Sequence, residues 1–202
     1  MTEIERALSD IAEVRHRLAG VQQFKGYSAL AAAISGVFAL VAGVLQAVLV
    51  GTPASAAQGR MYFAIWFVCS AASILINYSA IAHWFVNDAN ARDRWQTRTV
   101  GLSMLPAIVA GAVLSFALLR AELFAFLPGV WFICYGLGLF ASRLTVPRGV
   151  LAIASAFLAA GGILLFLPAQ ESLQWWINAG GFALGQFGIA LLVVRDRAEL
   201  PR

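Results

Sequence analysis

The chain has 202 residues, 61% of them apolar and only 12% charged, with a net charge of +4. A water-soluble domain rarely exceeds about half apolar residues, so this composition excludes an ordinary soluble globule and points to lipid. No P-loop, HExxH or nucleophile-elbow motif is present, which leaves no familiar enzyme signature.

The first segment, residues 2–24, reads as a separate unit. Ile4, Ala7, Ile11, Val14, Leu18 and Val21 recur at alternating spacings of three and four, with Leu8 widening the stripe. That pattern predicts an amphipathic helix over residues 2–24. Acids gather at its start and bases toward its end, which suits the helix dipole, and Thr2 with Glu5 has capping-box spacing. Three placements stay open: on the headgroups, in a coiled coil with a copy or a partner, or folded onto the cytoplasmic loops. The stripe residues Ile4, Leu8, Ile11, Val14 and Leu18 are the candidate contacts. The acidic opening, Glu3, Glu5 and Asp10, is unlike a cleavable signal peptide, so the first apolar run is expected to act as an uncleaved signal.

Six apolar runs follow, Tyr27–Val50, Met61–Phe85, Val100–Leu119, Phe124–Ala141, Gly149–Leu167 and Trp175–Val194, and none contains Asp, Glu, Lys or Arg. A run of roughly 20 apolar residues spans a hydrocarbon core of about 30 Å as a helix, which satisfies every backbone group internally. The predicted fold is therefore all-α and polytopic: a cytoplasmic amphipathic helix over residues 1–25, then a six-helix transmembrane domain over residues 26–202 with a short cytoplasmic tail. Twelve of the fourteen basic residues precede span one, lie between spans two and three or four and five, or follow span six; only Arg60 and Arg120 lie on the other side. The positive-inside rule then places both termini in the cytoplasm of a cell with this chain in its inner membrane. The positive charge reflects that topology and is poor evidence for nucleic-acid binding.

Two short phrases recur. Val41-Ala42-Gly43, Val109-Ala110-Gly111 and Ala159-Ala160-Gly161 precede Trp66-Phe67-Val68-Cys69, Trp131-Phe132-Ile133-Cys134 and Trp175-Trp176-Ile177-Asn178. They read as one helical hairpin used three times. Trp66, Trp131, Trp175 and Trp176 fall near the external ends of the returning helices, where an aromatic belt is expected. Three residues after each first Trp come Cys69, Cys134 and Asn178. If the hairpins surround an axis, these would line it, together with Tyr135 and Gln186; otherwise the cysteines serve as small core residues. Two thiols without a third ligand make a poor metal site, and no metal or other cofactor is expected.

The arrangement resembles the small bacterial six-span proteins of the acid-resistance (HdeD-type) group. Gly36, Gly43 and Pro53, then Gly101, Gly111 and Pro128, then Gly149, Gly161 and Pro168 carry that resemblance over residues 27–194. It implies three two-helix repeats with glycine-rich first helices and a proline near each external turn. Three hairpins around an axis are also similar to acid-gated urea and amide channels, from which the arginine-rich cytoplasmic ends depart. Neither resemblance implies a catalytic residue.

His83 stands at the cytoplasmic end of span two, as a pH-sensitive group or as a helix-end cap. The connection over residues 86–99 carries Arg92, Arg94, Trp95 and Arg98, either as a solvated topology anchor or as a docking surface for a partner or a second copy. No ionisable side chain lies at mid-depth, so the usual coupling site of an active transporter is missing. The sequence thus favours a non-enzymatic accessory, regulatory or stress-response protein acting through cytoplasmic contacts. A passive channel for a small neutral solute and a redox or metal-binding protein are the alternatives.

Overall fold

A computed structural model describes residues 28–87, 91–143, 146–147 and 149–199, without the side chains of residues 91–101, 197 and 199. The N-terminal stripe, including Ile4, Leu8, Ile11, Val14 and Leu18, lies outside the described residues. Among those described there is no strand. The main helices are α1 Ala29–Leu49, α2 Ala56–Asn87, α3 Ala91–Arg120, α4 Leu127–Ala141, α5 Val150–Leu164 and α6 Trp175–Glu199. A 3-10 turn, Phe124–Phe126, leads into α4, and a single helical turn, Ala169–Ser172, precedes α6.

Local chemistry sets the ends. Ser28 caps α1 by accepting from the Ala31 N–H at 3.2 Å. Gly51, at φ +65°, closes it by returning its N–H to the Gln46 carbonyl at 2.8 Å. The Ser55 hydroxyl accepts from the Gln58 N–H, and the Gln58 carboxamide accepts from the Ala54 N–H. That near-reciprocal cap starts α2 at Ala56, five residues before the apolar run. Pro128 occupies the first turn of α4, where its missing N–H costs nothing. Pro106 lies inside α3. Pro147 and Pro168 bracket α5, which holds 15 residues where the apolar run has more. At 1.5 Å per residue α5 is about 22 Å long.

Hydrogen bonds and close contacts fix how the helices run. Trp66 bonds to Gln46 and Asn77 to Ser35, so α1 and α2 are antiparallel. Trp131 with Ser115 and Ser103 with Ser142 make α3 and α4 antiparallel. The three connecting turns meet at one end, where Gln46 donates to the Leu173 carbonyl at 2.7 Å and Ser172 to the Ala125 carbonyl at 3.1 Å. Around the bundle each helix touches its chain neighbours, and α6 returns to α1. The α1–α6 and α4–α5 seams are the most extensive, whereas α2 with α3 and α5 with α6 touch little.

Five helices are long and apolar enough to cross a bilayer, and α5 is a shorter apolar helix. Their outward faces are apolar too: Leu30, Val48, Val68, Leu75 and Leu184 are each at least two-thirds exposed. A monomeric soluble protein does not present so much contiguous apolar surface to water.

Candidate functional site: a central cavity closed at one end

The returning helices α2, α4 and α6 face one another inside the bundle. Phe132 and Tyr135 of α4 pack tilted or edge-on against Phe157 of α5 and Phe182 of α6, with ring centroids 4.8 to 5.7 Å apart. The Gln186 amide of α6 donates to the Tyr135 hydroxyl at 3.0 Å. Nearer the turns, Tyr62 of α2 stacks on Trp131 of α4 at 5.9 Å and accepts a 2.8 Å bond from Asn178 of α6.

Below that stack lies a cavity of about 440 Å³, within the size range of small-molecule sites. Four of the five proposed axis residues line it: Cys69, Cys134, Tyr135 and Gln186. The fifth, Asn178, does not; it is 1% exposed and lies beyond the cavity's end. The phrase position is shared, but the depth is not. Trp175 opens α6, whereas Trp66 lies ten residues past the start of α2 and Trp131 four past the start of α4. Asn178 is therefore held close under the turns, while Cys69 and Cys134 reach further in.

No lining residue is charged. Some polar lining groups already bond within the protein: Asn77 donates through Nδ2 to the Ser35 hydroxyl at 2.8 Å and to the Ser73 carbonyl at 2.8 Å. Both cysteines are free thiols. No group of three His, Cys, Asp or Glu side chains gathers among the described residues.

The cavity is closed at the turn end by indoles. Trp66 is 2% exposed and donates to the Gln46 carboxamide oxygen at 2.8 Å. Trp131 is half-buried and donates to the Ser115 hydroxyl at 2.8 Å. Each bond joins a returning helix to the helix before it. This differs from the expected aromatic belt: these two N–H groups are satisfied by protein inside the bundle, because the early start of α2 and the acceptors on α1 and α3 draw them inward. Trp175 and Trp176 are 43% and 57% exposed, as surface aromatics are. Where Gln46 and Ser115 stand one turn past Gly43 and Gly111, Leu164 and Leu165 stand past Gly161, so the third copy has no acceptor to offer. Gln46 and Ser115, one turn beyond the recurring glycine, are the functional signal that the sequence reading missed as a pair with the tryptophans.

The opening lies between α2 and α3. Phe63 and Phe67 of α2 hold Phe116 of α3 at 5.6 Å near the turns. Beyond Phe116 the helices part, leaving Phe67, Ser70, Ala71 and Ile74 exposed along the cavity's flank. The sparse contact between α2 and α3 makes the gap a side window. His83 is exposed near the end of α2, and its carbonyl accepts from the Asn87 amide at 3.1 Å. The side chains of Arg92, Arg94, Trp95 and Arg98 fall outside the description, although their backbone forms the first turns of α3. Comparison with protein-family models, with curated proteins and with solved structures finds no match for this chain.

Proposed function

We propose that the chain is a six-span protein of the cytoplasmic membrane, built as three hairpins with both ends cytoplasmic. In this reading it works without catalysis as an accessory or regulatory component. Its working part is the central cavity, which takes up a neutral, mostly apolar molecule from the bilayer through the α2–α3 window. The observation that carries the reading is a cavity of about 440 Å³ with no charged lining residue and an opening on an apolar flank. A charged guest would shed its hydration there with no counter-charge in return. A neutral amphiphile loses little and finds the Asn77 and Gln186 amides for its polar end.

The regulatory half of the reading rests on length. α2 and α3 hold 32 and 30 residues, about 48 and 45 Å at 1.5 Å per residue, against a hydrocarbon core of about 30 Å. Their joined ends then project on the side rich in arginine and carry Arg92, Arg94, Trp95 and Arg98 to a cytoplasmic partner or a second copy. The N-terminal stripe is the other contact of this kind.

A brominated long-chain alcohol tests guest binding in nanodiscs, because Trp66 and Trp131 line the cavity and bromine quenches indole fluorescence. Saturable quenching is expected on top of the linear background from the surface tryptophans. Ala112→Phe, which fills the cavity from α3, removes the saturable part. Quenching that is linear with loading and equal in the variant would sink the guest reading. Protease removal of tags at both termini from the cytoplasmic face alone checks the topology. A passive path for a small neutral solute is the second reading, favoured by the shared lining of Cys69, Cys134, Tyr135 and Gln186. Solute-dependent swelling of proteoliposomes separates it from simple binding.

A further inference from the structure

Beyond the Trp66–Trp131 wall lies a polar pair that the cavity does not reach. Tyr62 and Asn178 are each 1% exposed. The Asn178 Nδ2 group donates to the Tyr62 hydroxyl at 2.8 Å, and Asn178 Oδ1 has no hydrogen-bond partner. The two ends of a carboxamide are alike in shape. Turning the amide over would exchange a vacant acceptor for a vacant donor pair and leave the deficit in place. Tyr62 has no second bond either. With Nδ2 toward it the phenol accepts and its own proton is unused; with Oδ1 toward it the phenol donates and its lone pairs are unused.

The neighbouring polar groups are committed. Gln46 accepts from Trp66 through Oε1 and donates through Nε2 to the Leu173 and Gly51 carbonyls at 2.7 and 3.3 Å. The Trp131 N–H belongs to Ser115. None of them can turn to Asn178 without giving up a bond it already makes. Buried amide atoms without a partner are rare in folded proteins, and an ordered water is their usual complement.

We propose that Asn178 and Tyr62 form a binding site for one water-sized neutral molecule that donates a hydrogen bond to Asn178 Oδ1 and bonds to the Tyr62 hydroxyl. In ordinary buffer that molecule is water. A hard cation would need six or more oxygen ligands, and this pair offers two. A larger solute finds no room, since Gly43 brings α1 against Ala179 beside Asn178, and Leu127, fully buried, packs in the same cluster. The site stands whatever occupies the cavity, because the Trp66 and Trp131 rings separate the two.

The test uses the full chain in nanodiscs with 15N-labelled asparagine. The chain has four asparagines, and the Asn178 side-chain signals are those lost in Asn178→Ser. A cross-relaxation peak between the Asn178 amide protons and a long-lived bound water is expected. An assigned Asn178 amide without that peak overturns the proposal.

Discussion

The α4–α5 seam and the α2–α3 gap both lie between helices with long apolar stretches, yet one is closed and the other open. Glycine makes the difference. A Cβ at Gly161 would sit 2.8 Å from the Gly129 carbonyl oxygen, and one at Gly136 would sit 3.0 Å from the Ala154 carbonyl oxygen. These backbones touch across α4 and α5, where dispersion replaces the hydrophobic effect as the force between helices in lipid. The α1–α6 seam works the same way, with Gly36 under the Phe187 ring and Gly43 against Ala179. After Gly59, α2 has no glycine at all, and Gly111 of α3 faces Cys134 of α4 instead. The α2–α3 flank is held by rings near the turns, with the cavity beyond them. The two extensive seams thus close where glycine lets backbones meet, and the flank of the cavity lacks that device.

The strongest way to break this contrast is Gly161→Val. Two of the three nearest atoms in its path, the Gly129 carbonyl oxygen and the Ile133 nitrogen, are backbone and cannot yield, so a loss of about 3 kcal/mol is expected, seen as a large drop in Tm or loss of the monodisperse protein. Gln46→Leu comes next. It strands the Trp66 N–H and the Leu173 carbonyl under the turns, at a cost of about 2–3 kcal/mol, with a shift in tryptophan emission. Trp131→Phe removes the bond to Ser115 and part of the ring stacked on Tyr62, and is expected to cost about 2 kcal/mol, read from the same melting curves. Ala112→Phe, on the open flank, should move stability by less than about 1 kcal/mol while abolishing saturable quenching. A large loss there would mean that the flank is as closely packed as the α4–α5 seam.

The helices were legible because each contains a long apolar run without a charge, and Pro128 marked the start of α4. Depth was less legible. The apolar run at Met61 places Trp66 near a helix end, but the Ser55–Gln58 cap carries α2 back to Ala56. That sets Trp66 about 15 Å along the helix, inside the protein. Cys69, Cys134 and Asn178 occupy one position in a repeated phrase, and such a phrase records spacing along the chain only. Helix starts, which depend on hydroxyl and amide caps a few residues away, decide whether a given position meets the cavity or lies beyond it. The short α5 follows from Pro147 and Pro168, which limit a run whose apolar composition alone reads as longer.

Pro106 gives the open flank a mechanical character. Having no N–H, it leaves the Leu102 carbonyl without its partner one turn back and crowds the helix there. The cavity residues Met104 and Ala107 straddle that point. One wall of the chamber thus contains the weakest joint in its own backbone, while the opposing wall, α2, runs 32 residues with no proline inside it. Bending stiffness is unequal across the window, so strain from a guest of the wrong girth would collect on the α3 side.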